Sequence, residues 1–287
     1  MPLTDRITSF LTHTASTAKS LLKLALASRP GSITPVASPA DRLIIMGNGP
    51  SLADNIREDM PLLTSHPAMA VNFAANAPEF TALRPDYYLL ADPHFFEGLE
   101  TDPNVKRLYD RFTHDVTWPM TLFVPAERAS YASRLIGNTC IRIETFSFIG
   151  IEGYGWFERA VYRSRRGMPR PRNVLVPAIM TGIWLGYKEI YILGADHSWM
   201  KTLEVDDDNM VVTVQPHFYE DNDKERKRVT SVYRNVRLHD ILLSFHLAFR
   251  SYHAIAAYAR RQGVAIYNST PGSFIDAFPR RPLRAGM

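Results

Sequence analysis

At 287 residues and 46% hydrophobic content, the chain is long enough to bury a sizeable core in one large domain, which excludes a disordered or fibrous protein. Its 33 basic and 29 acidic residues leave a net charge of +4, too mild a bias to imply a nucleic-acid partner. A single cysteine, Cys140, excludes an intramolecular disulfide and a Cys-rich zinc site and points to a reducing, cytoplasmic compartment.

Residues 1 to 28 predict an amphipathic helix, with Ile7, Phe10, Leu11, Ala18, Leu21, Leu22 and Ala25 at helical spacing. No run is long enough to span a bilayer, and Lys23 interrupts the leucine-rich stretch that a secretory leader would need. Residues 3–26 could lie on the inner face of a membrane, or pack on the chain's own domain or a partner. Ser28 to Asp41, rich in Pro, Ser and Gly, reads as a linker, so residues 1–40 form a helix and linker and residues 41–287 the main domain.

From Leu43 onward, apolar runs at 43–47, 68–74, 87–92, 121–125, 141–146, 189–195 and 264–268 alternate with helical segments. That alternation predicts an α/β fold, a Rossmann-like, mostly parallel sheet with helices on both faces. The first run enters Gly47-Asn48-Gly49-Pro50-Ser51-Leu52, a tight turn opening a helix. Glycines there let the backbone approach a ligand, and the helix start, with Ser51 as its cap, would face an anion. The turn has neither the G-x-G-x-x-G spacing of dinucleotide sites nor the Lys-Ser/Thr ending of a P-loop. Polar residues follow the other strand-like runs: Asn72, Asp92, Asp196 after Gly194, then Asn268, Ser269 and Thr270. In such a fold ligands collect at these carboxyl ends.

Two segments break the alternation and are expected as lids. Residues 150–172 are aromatic and carry Arg159, Arg163, Arg165, Arg166, Arg170 and Arg172, attractive to an anionic substrate or an anionic membrane if they are not simply solvated. Residues 198–237 carry Asp206-Asp207-Asp208, His217-Phe218-Tyr219 and the basic run Lys224 to Arg228. The aspartate triplet resembles a metal-binding Asp-Xaa-Asp, but no short apolar strand leads into it, so no metal site is expected.

In the opening strand with Gly47 to Leu52, in Leu185 to Tyr191 leading to Gly194-Ala195-Asp196, and in Ile266 to Ser273, the chain resembles the bacterial sialyltransferases of glycosyltransferase family 42. The resemblance covers roughly residues 42 to 278 in patches. It implies a GT-A-like variant of the Rossmann-like fold with a lid insertion, and an inverting, metal-independent glycosyltransferase with no cofactor. The donor would be a CMP-activated sugar, sialic acid or Kdo-like, and the acceptor a bacterial surface glycan of the lipopolysaccharide or capsule kind.

Carried residue by residue, the resemblance puts Gly47, Asn48, Gly49 and Ser51 on the donor phosphate or ribose. Asn72 falls near the cytosine, Asp92 stands where the family has an Asn-Pro pair, and Gly194 and Asp196 follow the sixth strand. The family's Thr-Ser-Gly is replaced by Asn173-Val174-Leu175, leaving Asn173 as the polar contact, and Tyr219 or Tyr233 stands for the lid tyrosines. The general base is His239, then His217 and then His246, whose neighbours suggest a packed helical residue; His197 reads as a structural or substrate contact. A weaker resemblance, in the same turn and in Gly194-Ala195-Asp196, is to the 6-hydroxymethylpterin diphosphokinase-like proteins, which would need ATP and magnesium and use Asp92, Asp196 and residues 206–208 as ligands. A non-catalytic nucleotide-binding protein of envelope assembly and a homo-oligomer are also compatible with the sequence.

Overall fold

The computed structural model describes residues 3–36, 42–212 and 236–286. Seven parallel strands form one sheet in the order β5-β4-β3-β2-β1-β6-β9. They are β1 (Arg42–Met46), β2 (Ala68–Val71), β3 (Tyr87–Leu89), β4 (Met120–Pro125), β5 (Ile141–Phe146), β6 (Glu189–Leu193) and β9 (Ala265–Asn268). A separate antiparallel hairpin pairs β7 (Glu204–Val205) with β8 (Val211–Val212). This is the Rossmann-like α/β architecture expected.

Both faces of the sheet are covered, so successive strand residues feed two cores rather than one core and solvent. Leu43 and Ile45 of β1 enter one core, and Ile44 and Met46 enter the other. The first core is filled by α7 (Gly155–Arg163), α8 (Leu175–Leu185) and α9 (Leu238–Arg261). The second holds α2 (Leu52–Ser65), α5 (Pro103–His114) and α6 (Ala129–Leu135), with α3 (Phe80–Leu83) and α4 (His94–Glu97) as single turns. All eleven residues of α8 are buried. Gly182 lets this helix lie close on the sheet, since a Cβ there would sit 2.9 Å from Leu43. Gly186, at φ 103°, ends α8 in the left-handed conformation that glycine adopts without strain.

Strand lengths depart from expectation where polar turn residues follow an apolar run. β2 stops at Val71 because Asn72 turns into a short 3-10 helix at φ 52°, and β6 stops at Leu193 because Gly194 adopts φ 59°. β5 spans 141–146 as read from the sequence.

The larger differences are at the amino end. Helix α1 (Leu3–Ala27) docks on residues 150–154. Residues 28–36, expected as a linker, are held along the β5 edge instead. Ser32 donates its backbone N–H to Thr145 O (2.9 Å), Thr34 N–H bonds the Glu144 carboxylate (3.0 Å), and Ile33 is 4% exposed in the first core. The segment thus covers an edge strand that would otherwise present open backbone groups. Residues 150–172, expected as a lid, are also part of the body: Ile151, Phe157, Val161, Tyr162 and Met168 are buried in that core.

Candidate active site

β1 has β2 on one side and β6 on the other, and the chain beyond β1 enters α2 in the second core while that beyond β6 leads to α9 in the first. That is the topological switch point where an open α/β sheet leaves a crevice at its carboxyl edge. The turn after β1 and the turn after β6 meet there. Gly47 N–H donates to Leu193 O and Gly49 N–H to Gly194 O, both at 2.8 Å. No side chain fits between them: a Cβ on Gly47 would lie 2.6 Å from Gly194 O, and one on Gly194 2.6 Å from Gly47 O. A Cβ on Gly49 would lie 2.0 Å from the Asp196 carboxylate.

Ser51 was expected to cap α2 and does not. Its hydroxyl donates to Asp196 Oδ2 at 2.8 Å, and its backbone N–H also serves that carboxylate. The helix start read as an anion site therefore already holds an anion supplied by the chain itself. Burial pushes the Asp196 carboxyl above its ordinary value, and the bonds from Ser51 oppose that shift. The Asp196 turn is anchored from behind by the loop after β9. Thr270 Oγ1 accepts from Ala195 N–H (3.0 Å), Ser273 Oγ donates to Ala195 O (2.6 Å), and Phe274 N–H donates to Asp196 O (2.9 Å). Asn268, Ser269 and Thr270, polar strand-end residues in the sequence, are buried and occupied in this anchoring.

Asn48 is buried and donates to Val71 O at 3.2 Å, which ties the first turn to the end of β2. Asn72 follows at once, and its side-chain oxygen is buried with no hydrogen-bond partner among the described residues. A buried unsatisfied carboxamide calls for a partner, and a bound ligand supplies one.

A buried relay continues on the β6 side. Tyr252 of α9 donates its hydroxyl to Asn173 Oδ1 (2.9 Å), so its oxygen accepts from His197 Nε2 (2.6 Å). That places the His197 proton on Nε2 and the lone pair on Nδ1. Burial lowers His197 to about 3, so the ring is neutral; it stacks on Trp199 with centroids 4.2 Å apart. Asn173 Oδ1 also accepts from Leu175 N–H at the start of α8, and its amide nitrogen is buried without a partner among the described residues. Sequence reasoning named Asn173 and Asp196 but missed Tyr252, and gave His197 only a minor part. Tyr252 lies 55 residues from His197 and 79 from Asn173, and no local pattern reports such a contact.

The remaining predicted residues lie elsewhere. Asp92 is exposed and accepts from the His94 backbone N–H (2.9 Å) at the start of α4. His239 is the second residue of α9, its side chain 82% exposed, with Asp240 at 3.5 Å. Thirteen residues separate it from Tyr252, about 20 Å along the helix axis at 1.5 Å per residue. His246, expected as a packed residue, is exposed. His217, Tyr219 and Tyr233 lie outside the described residues. In the described part of the second lid segment, Trp199, Leu203 and Val211 pack on Ile241 and Phe245 of α9. Asp206 is occupied in its hairpin, where Oδ1 accepts from Asp208 and Met210 N–H (3.1 and 2.7 Å). No cluster of three or more His, Cys, Asp or Glu residues arranged to hold a metal occurs among the described residues.

A second cleft, of about 490 Å³, opens between α1, residues 151–153 and α9. Its arginines, Arg170 and Arg250, are both paired with Glu152, so the cleft brings little free charge to a ligand.

No protein-family model matches the chain, and no curated protein does. Among solved structures it is similar to the MAf glycosyltransferase from Magnetospirillum magneticum AMB-1, with a TM-score of 0.52 and 12% identity over 95% of this chain. The chain spans 38% of the length of that protein. A mannonate dehydratase from Streptococcus suis serotype2, 13% identical over 68% of this chain and 56% of its own, aligns at a TM-score of only 0.19. At these identities the first likeness establishes a shared fold.

Proposed function

We propose that the chain is a glycosyltransferase that binds a nucleotide-activated sugar in the crevice between β1 and β6. The observation that carries this reading is the closure of the two glycine turns over a carboxylate, Asp196, beside the unsatisfied amides of Asn72 and Asn173. Two glycine turns without side chains, one acceptor for sugar hydroxyls and two amides for a base suit a nucleoside rather than a bare anion. The similar fold of a protein described as a glycosyltransferase supports the same reaction class.

The donor in this reading is a CMP-sugar and the reaction inverting, as the resemblance to family 42 implies. The acceptor hydroxyl attacks the anomeric carbon as its bond to the CMP phosphate breaks, and a histidine takes the hydroxyl proton. CMP carries one phosphate, which amides and hydroxyls can neutralise without a metal ion. Because Asp196 would repel that phosphate, it faces the ribose hydroxyls, and Ser51 holds it there. A base should titrate near the working pH, which burial denies His197; the role stays with His239 or His217. His239 stands far along α9 from the crevice, so it acts only if acceptor binding brings the two together.

Thermal stabilisation by nucleotides tests the reading directly, since a ligand of the folded state raises its melting temperature. CMP should raise Tm in the presence of chelator, and Asn48→Ala should reduce the rise. His239→Ala or His217→Ala should keep CMP binding and lose ~10²- to 10⁴-fold in transfer rate. Stabilisation by ATP with magnesium and not by CMP would overturn it in favour of a diphosphokinase. Asp92 and Asp206, carboxylates which that chemistry would employ, are engaged in a helix start and a hairpin turn.

A further inference from the structure

Helix α1 sits on the body by its polar side. Ser20 is 2% exposed and exchanges hydrogen bonds with Glu152, donating to its O (2.7 Å) and accepting from its N–H (3.0 Å). Thr17 Oγ1 accepts from Tyr154 N–H (3.0 Å), and His13 Nδ1 lies 2.9 Å from Gly153 O. Thr17 packs so closely over Gly153 that a Cβ there would lie 2.2 Å from its hydroxyl. With the polar side fixed, the apolar side faces outward: Ile7, Phe10, Leu11, Leu21, Leu22 and Leu26 are each more than half exposed, Leu26 by 78%. At 3.6 residues per turn these six fall on one stripe.

The exposed charge near that stripe is mainly basic. Lys19 and Arg29, from α1 and the residue pair after it, are exposed, as are Arg163 and Arg166 at the end of α7. Arg166 lies next to the end of α1, because its backbone carbonyl accepts from Oγ of Ser28, the residue after the helix, at 2.8 Å. None of these four cations forms an ion pair with another described residue. The one acidic residue of α1 is Asp5 in its first turn. No helix among the described residues is long and apolar enough to cross a membrane.

We propose that this face is a membrane-docking surface: α1 lies in the plane of an anionic bilayer with its leucine stripe in the acyl boundary and the Lys/Arg rim on the headgroups. A helix docked by its polar side with an apolar stripe outward and basic flanks is the arrangement an interfacial helix requires. A second copy of the chain would offer the same basic rim to its own, and the like charges would oppose pairing there. The surface is independent of the crevice chemistry.

The test is co-sedimentation of the full chain with vesicles of phosphatidylglycerol and phosphatidylcholine, against phosphatidylcholine alone. Binding should require the anionic lipid and weaken as salt rises. Leu11→Ser with Leu22→Ser, both at exposed positions, should abolish binding without lowering Tm. Arg163→Glu with Arg166→Glu should weaken it about tenfold or more, at ~1 kcal/mol per cation near the surface. Equal binding by the leucine variant, or no binding to anionic vesicles, would overturn the proposal. A dimer in solution that the leucine variant converts to monomer, with no vesicle binding, would assign the stripe to a second copy instead.

Discussion

At the scale of single residues, the crevice depends on side chains that are absent as much as on those present. In Gly49→Ala the new methyl meets the Asp196 carboxylate at 2.0 Å and Gly194 O at 2.7 Å, so the two turns must part. The expected result is a loss of ~1–3 kcal/mol in urea unfolding and of the CMP-induced rise in Tm. Asp196 makes a prediction with a sign. Its folded-state pKa is raised, so the folded protein holds this proton more tightly than the unfolded chain does. This contribution to stability is therefore present below the ordinary aspartate value of 3.8 and declines as pH rises through the raised value. Asp196→Asn should remove that decline, visible as a shallower fall in Tm with rising pH and an equal or higher Tm at neutrality. The same variant should bind CMP more weakly while losing little affinity for its 2′-deoxy form, if Asp196 accepts from the ribose.

At the scale of elements, the amino-terminal 36 residues divide differently from their composition. Pro, Ser and Gly between 28 and 41 suggested a linker, because composition reports backbone freedom and not whether an edge strand is waiting to be covered. The structure assigns Ile33 to the core and ties Ser32 and Thr34 to β5. Removing residues 1–27 should therefore leave a stable body, whereas removing 1–36 should cost a further ~2–4 kcal/mol from the buried isoleucine alone. Equal denaturant midpoints for the two truncations would show that the segment contributes nothing to folding. α1 carries a related lesson. Helical periodicity located its apolar stripe correctly, but periodicity cannot say which face docks, and here hydroxyls and an imidazole do so, with Leu24 beside them against the first core.

At the scale of the whole molecule, the strands and the first turn were legible because buried parallel strands are short apolar runs and Gly47-Asn48-Gly49-Pro50-Ser51 is local. Strand ends were overrun at Asn72 and Gly194, where an apolar run continues into residues that adopt positive φ. The crevice as a set of contacts was only partly legible. Strand ends could be listed, but the meeting of Gly49, Ser51 and Asp196, and of His197, Tyr252 and Asn173, is a product of topology.

The pairing of β1 with β6 also governs when the crevice comes into being. Arg42 and Glu189, whose side chains bond at 2.9 Å across this pair, are 147 residues apart in the chain. A growing polypeptide that ends before residue 189 has strands β1 to β5, which pair among themselves, but no opposing turn for Gly47 and Gly49. Long-range parallel pairing is slow because its loop-closure entropy must be met before the contacts form. The crevice is consequently completed late in synthesis, and a fragment of the first five strands, even if compact, should show none of the CMP-induced rise in Tm proposed for the whole chain.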